Sequence, residues 1–390
     1  MKGLNKGLIA LAIGGLSIGM TEFSMMGVLP DLAADQGVSI PTAAHLIAFY
    51  ALGVVVGAPI LVLITGKFPP KKVLAVLMIL FVVFNGLFAI APSYTLLEVS
   101  RFAAGLPHGA FFGVGSVVAT SLAKKGREAR AISVMFAGLT LANVVGVPLG
   151  TFVGHHYSWR FTYGIVCFLG LMTLLSIFFW MPDIPKAKDG NLFGQLKYFS
   201  KKRSWLLIVV IAIGTGGLFA WISYIAPMVI QIGGVDPDRL PIIMVLAGLG
   251  MFIGNLFGGK LADTVGAAKA AIFCFLAMVL CLLTVHFTAQ FYYLTYVMSF
   301  ITGMISFSVG TPLQMMLIND AKGAETFAAS AGQASFNIGN TLGSYLGGLP
   351  IVFGLAYNTP VLVGCGLAFT GAMLAVAFRR NLKQHVVAAG

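Results

Sequence analysis

DIPKAKDGNLFGQLKYFSKKR, residues 183–203, is the longest polar stretch in the chain and falls almost at its middle. On either side the sequence runs in apolar segments. A bilayer core of about 30 Å needs roughly 20 apolar residues per helix. On that basis spans 1 to 6 are predicted at 7–31, 42–64, 72–91, 95–121, 130–154 and 159–181. Spans 7 to 12 are predicted at 204–230, 240–262, 268–287, 291–318, 326–352 and 358–379. The expected fold is an all-α membrane protein of twelve transmembrane helices in two pseudo-symmetric six-helix bundles, residues 1–183 and 204–390, joined by a cytoplasmic linker at 184–203.

Composition supports a membrane setting. The 390 residues are 58% hydrophobic and only 9% charged, against roughly 25% charged in soluble domains. The net charge of +12 does not point to nucleic acid, because no Lys/Arg stripe is interleaved with aromatics. The basic residues fall in the short gaps between apolar runs, the positive-inside pattern. With the N-terminus in the cytoplasm, Lys2, Lys6, Lys67, Lys71, Lys72, Lys124, Lys125, Arg127, Arg130, the six linker cations, Lys260, Lys269, Lys322, Arg379, Arg380 and Lys383 all lie on the cytoplasmic side. Arg160 and Arg239 lie outside and Arg101 lies within a helix, so both termini are expected in the cytoplasm. The apolar run after Lys6 continues to about Pro30, longer than the h-region of a signal peptide, and reads as the first span. Cys167, Cys274, Cys281 and Cys365 sit in apolar spans without metal-ligand or CxxC spacing, so they read as core, and no metal or cofactor is implied.

Glycine spacing points to a duplication. Gly146, Gly150 and Gly154 step by four along span 5, and Gly339, Gly343 and Gly347, then Gly348, do so along span 11. Gly53 and Gly57 in span 2 have counterparts in Gly250, Gly254 and Gly258 of span 8. Such ridges let helix backbones approach closely, either as static packing or as surfaces that slide.

Several motifs resemble those of the major facilitator superfamily, in particular its proton-driven drug and sugar efflux branch, and the resemblance covers nearly the whole chain. Gly259-Lys-Leu-Ala-Asp263-Thr-Val-Gly266 is similar to the signature loop G-x-L-A-D-R-x-G. The first-half equivalent is degenerate, with Gly66 and Pro69 at the Asp and second Gly positions, although Lys67, Lys71 and Lys72 keep it basic. Arg101-Phe-Ala-Ala-Gly105-Leu-Pro-His108-Gly109 is similar to the branch's arginine motif. Gly146-Val-Pro148-Leu-Gly150 is similar to its antiporter motif, with Gly and Pro split by Val147. Thr21-Glu22-Phe23 followed by Gly27-Val-Leu-Pro30 resembles the AraJ-like, arabinose-efflux-permease type of member. The resemblance implies alternating access, a signature loop that latches the halves, and residence in a bacterial inner membrane.

Ionisable residues inside spans are functional candidates, since each costs roughly 2.5–3.5 kcal/mol on insertion scales. Glu22 lies about nine residues from the outer end of span 1, roughly 13 Å, and Arg101 roughly 10 Å from the outer end of span 4. The expectation is that Glu22 takes up and releases a proton, with Arg101 or the substrate biasing it. The alternative is a permanent pair that fixes packing. Glu98, Arg101 and His108 share a helix face. Glu98 reads as a solvated partner of Arg101, while His108 suits either a proton relay or a bond to a carbonyl freed by Pro107. Asp31 reads mainly as an end-of-helix residue, with gating as the other option. The second half has no acidic residue deep in a span, so carboxylate coupling belongs to the first.

Candidate substrate-cavity residues are Phe111, Phe112, Asn143, Trp221, Tyr224, Gln314, Gln333, Asn337 and Asn340. Amides suit hydroxyls or heterocycles, and aromatics suit planar or sugar-ring faces; each also has a packing reading. The leading expectation is a proton-coupled exporter of small amphiphilic solutes such as sugars or drugs. The alternative is an uptake symporter on the same fold. The absence of HExxH, a Ser/His/Asp set or a carboxylate pair at shared depth argues against an enzyme, and the absence of a charged ring or filter-like loop argues against a channel. The expected partners are a small-molecule substrate, protons and the lipid bilayer; one chain supplies both halves, so a monomer suffices.

Overall fold

The computed structural model describes residues 5–66, 68–123, 128–185, 200–321 and 325–387. Lys67 and most of the predicted linker lie outside them. Every regular element among the described residues is helical. The first-half helices are α1 (Lys6–Gln36), α2 (Ile40–Thr65), α3 (Pro70–Ile90), α4 (Tyr94–Leu122), α5 (Glu128–Leu141), α6 (Val147–His156) and α7 (Trp159–Trp180). They are followed by α8 (Lys202–Gly214), α9 (Gly216–Ile222), α10 (Ile225–Gln231), α11 (Leu240–Val265), α12 (Ala267–Thr288), α13 (Tyr292–Phe307), α14 (Gly310–Asp320), α15 (Glu325–Val352) and α16 (Pro360–Val387).

Among the described residues, eleven helical stretches are long and apolar enough to cross a membrane, one fewer than the sequence predicts. The stretch not among them is α15. It has 28 residues and spans the predicted 326–352, but Gln333, Asn337, Asn340, Thr341 and Ser344 make it more polar than its neighbours. Exposed apolar side chains such as Ile64, Phe178, Phe179, Leu256 and Leu280 form the kind of surface that lipid covers.

Four predicted spans differ in detail. Span 1 runs on past Pro30 to Gln36 and ends at Gly37, whose φ of 63° lets its N–H reach the Ala33 and Ala34 carbonyls. Asp31 therefore lies within the helix and is not its terminal residue. Span 5 is interrupted by a π-helical turn at Ala142–Gly146. Spans 7 and 10 each divide, at Thr215 and Ser223–Tyr224 and at Ser308–Val309. Gly266 is the only residue between α11 and α12, at φ 86°, a left-handed conformation that an L side chain resists. That accounts for the second glycine of the signature loop, whose Asp263 is exposed.

Contacts divide the chain into two compact units, Met1–Leu192 with Leu240–Val245, and Phe193–Arg239 with Leu246–Gly390. In the first, α1 packs on α5, α6 and α7, α2 on α4, and α3 on α4 and α7. In the second, α15 packs on α8 and α9, α16 on α8, α9 and α12, and α12 on α13. The glycines explain these pairings. A Cβ at Gly53 or Gly57 would overlap the Phe102 or Leu106 carbonyl, and one at Gly105 the Tyr50 carbonyl. In the second unit, Gly250, Gly254 and Gly258 meet the Phe300, Met304 and Ser308 carbonyls, and Gly303 meets Ala247. Span 2 on span 4 and span 8 on span 10 thus use the same backbone-to-backbone contact. Likewise Gly150 and Gly154 lie against Ser24 and Val28 of α1, and Gly339 and Gly343 against Thr215 and Gly216 of span 7.

Gly53→Ala should therefore push α4 away from α2 and cost about 1–3 kcal/mol, as overpacking does. Gly366→Ala, in an exposed stretch of helix with nothing within 4 Å of the new methyl, should be neutral or stabilising by up to about 1 kcal/mol. Thermal unfolding of the purified variants in detergent checks both; equal melting behaviour would contradict the contact.

Candidate functional site

The close approach of α2 to α4 puts Tyr50 beside Arg101. Arg101 is 0% exposed, and burying a guanidinium costs several kcal/mol unless its N–H groups find partners. Its Nε donates to the Leu46 carbonyl at 3.4 Å, and one terminal nitrogen donates to the Thr21 carbonyl at 3.3 Å and the Thr21 hydroxyl at 3.1 Å. Three rings surround the cation, with centroids at 4.3 Å for Tyr50, 5.3 Å for Phe88 and 5.5 Å for Tyr163; such faces attract cations most strongly when desolvated. The Thr21 hydroxyl donates onward to Asn85 Oδ1 at 2.5 Å, and Asn85 Nδ2 donates to the Phe81 carbonyl at 2.8 Å. The chain of bonds is directional, and it joins α4, α1 and α3. The second terminal nitrogen of Arg101 and the Tyr163 hydroxyl have no hydrogen-bond partner among the described residues.

Glu22 follows Thr21 on α1 and is buried. It and Arg101 both lie within electrostatic reach of Tyr50. The Tyr50 hydroxyl also meets His108 Nδ1 at 3.2 Å, and the buried imidazole packs against Phe112 with centroids 5.3 Å apart. Tyr50 thus links Glu22, Arg101 and His108, three of the four proton-coupling candidates. The fourth, Asp31, is elsewhere, against His155 at 2.8 Å. Glu98 is half-buried, and the hydrogen bonds of Arg101 run to Thr21 and Leu46 rather than to it. Sequence reasoning missed Thr21, Tyr50, Asn85, Phe88 and Tyr163, since uncharged residues in a span carry no cost signal.

Span 5 lies along the same stretch of α1. At its π-turn the Val147 N–H bonds to the Ala142 carbonyl, five residues back, directly before Pro148, which has no N–H to give. Such insertions cluster at functional sites. Asn143, in the turn, is buried and donates to the Leu139 carbonyl at 3.3 Å. Gly146 faces Met20 and Gly150 faces Ser24, two residues before and two after Glu22, so the motif packs on α1 at the level of Glu22 but on roughly the opposite face. Phe111 is buried against Gly14, and Phe112 stacks on Phe136 at 5.0 Å.

In the second unit, Trp221 and Tyr224 are buried at the breaks of span 7. Tyr224 donates to the Ser344 carbonyl at 2.8 Å, Gly343 touches α9, and Gly347 lies beside Tyr224. Gln333, Asn337, Asn340 and Ser344 follow one face of α15. Asn337 Nδ2 donates to the Gln333 carbonyl at 3.0 Å. Asn337 Oδ1 and both amide atoms of Asn340 are buried without a hydrogen-bond partner among the described residues. Gln333 and Gln314 are half-buried. A small cavity in this unit is lined by Trp221, Met228, Val285, Thr295 and Ser299 among others. No group of three or more His, Cys, Asp or Glu that could hold a metal occurs among the described residues.

Long apolar helices in two units, with a buried charge cluster in one, define a multi-pass membrane protein, and comparison supplies its family. The chain belongs to the Major Facilitator Superfamily, whose model matches residues 11–332 and 222–388; it is a transporter and not an enzyme. It is 37% identical to the putative transporter AraJ of Escherichia coli (strain K12) over 98% of this chain and 97% of that one. To the inner membrane transport protein YdhP of the same strain it is 38% identical, again over 98% and 97%. The crystal structure of a D-xylose-proton symporter superposes with a TM-score of 0.74 at 13% identity, covering 95% of this chain and 96% of that one, a likeness of fold.

Thr21→Val keeps the shape but removes both the acceptor for Arg101 and the donor to Asn85. Asn85 Oδ1 then loses its donor in a buried site, and Arg101 keeps the Thr21 carbonyl but loses the hydroxyl, which should cost about 1–3 kcal/mol. Thr21→Ser should restore most of it. Thermal unfolding in detergent provides the comparison, and a Val variant as stable as wild type would show that the chain from Arg101 to Asn85 holds nothing together.

Proposed function

We propose that this transporter is a proton-coupled exporter that exchanges protons for small amphiphilic solutes, sugars or drugs among them, by alternating access. The observation that carries the reading is the buried Glu22 within electrostatic reach of Tyr50, which also faces Arg101 and His108. A carboxylate in an apolar setting is costly when ionised, so proton binding changes the energy of the first unit. Arg101, over the Tyr50 ring at 4.3 Å, stays charged and biases that change. The seam of α1 against Gly146 and Gly150 gives the helix bearing Glu22 a smooth track, so a change of charge there can be answered by movement.

Solute recognition falls mainly to the second unit in this reading. The unpartnered oxygen of Asn337 and the unpartnered amide of Asn340 offer acceptors and a donor for hydroxyls or heterocycles, and Trp221 and Tyr224 offer ring faces. The resemblance of the Gly146–Gly150 segment to the family's antiporter motif supports export over uptake. Twelve transmembrane helices, cytoplasmic termini, a monomer and a bacterial inner membrane complete the proposal; the lopsided Lys and Arg distribution supports the orientation, and YdhP supports the location.

In energised everted vesicles, wild type should collapse the pH gradient when a transported sugar, nucleoside or hydrophobic drug is added. Glu22→Gln should abolish that response while still exchanging labelled solute by counterflow. A mutant that responds like wild type removes Glu22 from the coupling, and gradient collapse that requires solute on the opposite face would favour symport.

A further inference from the structure

The seam between α1 and span 5 continues past the glycines to the end of the unit. Gly27 lies against Thr151, Asp31 meets His155, and Asp35 accepts from the Trp159 indole. These contacts step by four residues along α1, the first two reaching α6 and the third reaching Trp159 at the start of α7. The Asp31 contact differs in kind from the others. His155 Nδ1 and Asp31 Oδ1 are 2.8 Å apart, with side chains 25% and 23% exposed. About three quarters of each side chain is covered by protein. Asp35, one turn on, is held by a neutral indole N–H at 2.9 Å and by Arg160 at 3.7 Å, and neither of those partners changes charge near neutrality. Histidine does so between about pH 5 and 8.

The remaining titratable or charged groups toward this end of the unit are His45 on α2, Tyr94 and Glu98 on α4, His156 on α6 and Tyr157 after it. His156 lies beside His155 with ring centroids 5.6 Å apart, but its Nδ1 faces the Phe152 carbonyl at 3.0 Å. Glu98 acts on Tyr94, whose hydroxyl bonds to the Thr42 carbonyl. Asp31 is a carboxylate in direct contact with His155.

We propose that Asp31 and His155 form a proton-binding site distinct from Glu22, a charge-operated clasp between α1 and α6. With the proton bound, an imidazolium and a carboxylate face each other and the clasp is tight. The proton leaves from the imidazole ring to water. What remains is a neutral ring donating one N–H to the same carboxylate, a weaker hold across the seam. Glu22 lies nine residues deeper on the same helix, so the clasp sets how firmly the proton-carrying helix is gripped at this end. Charge bias in the sequence assigns that end to the non-cytoplasmic face. The site is defined by its own geometry and does not rest on antiport through Glu22.

The test uses the purified full chain in detergent, with Asp31→Asn, His155→Asn and the double variant, melted at about pH 6 and about pH 8.5. The coupling between the two positions should be several-fold larger at the lower pH, where the imidazolium faces the carboxylate. The single variants should lose most of the pH dependence that wild type shows. Equal coupling at both pH values, or none at either, overturns the proposal. If His155→Asn does not fold, histidine-ring NMR on wild type and Asp31→Asn decides instead. One imidazole must change its titration between the two proteins, and six unchanged imidazoles would overturn the site. Neither measurement involves transport, so a failure of Glu22 in vesicles leaves this result standing.

Discussion

Gly53, Gly57 and Gly105 let α2 and α4 touch along their backbones, and the burial of Arg101 follows from that contact. A side chain at any of the three would hold the helices apart and pull the Tyr50 ring off the guanidinium. With the contact in place, Leu46 and Tyr50 of α2 supply a carbonyl and a ring face, while Thr21 of α1 supplies a carbonyl and a hydroxyl. Close packing and charge burial are therefore one arrangement, because the cation is compensated by groups that only near-touching backbones bring within reach.

The two units share their packing but not their electrostatics. Gly105 against Tyr50 has its counterpart in Gly303 against Ala247, which places Ser299 at the level of Arg101 in the repeat. Among the described residues, the charged residues buried as a whole are Glu22 and Arg101, both in the first unit; the second buries hydroxyls and amides such as Ser299, Ser306, Asn337 and Asn340, and its ion pair, Arg203 with Asp320, sits at the ends of α8 and α14. One scaffold thus carries a charge cluster in one copy and neutral hydrogen-bonding groups in the other. That contrast is what the proposal of protons at the first unit and solute chiefly at the second is built on.

Most of the architecture was legible in the chain. Apolar runs of membrane length, glycine ridges repeated six spans apart and the Gly259–Gly266 motif led to the family that the comparisons establish. Errors arose where a local pattern competes with an unseen partner. Pro30 reads as a helix end, yet the helix continues past it because the next turns are tied to His155 and Trp159. Span 5 reads as one helix, but Pro148 has no N–H to give and a π-turn precedes it. Span 11 is not one of these errors: its helix has 28 residues, and only its polar face sets it apart from the eleven apolar stretches.

The sequence by itself determined the class of protein, the number and rough limits of its apolar segments to within one, and the rare ionisable residues inside them. A bilayer imposes length and hydrophobicity on each segment separately, so those properties are written locally. Only the tertiary structure decided which side chains meet. Tyr50 reaches His108 across 58 residues of chain, Thr21 reaches Asn85 across 64, and Asp31 reaches His155 across 124. Tyr50, Thr21 and Asn85 are uncharged and cost little in an apolar helix, so no local excess marks them. Their roles come from helix register, set by glycines on several helices at once.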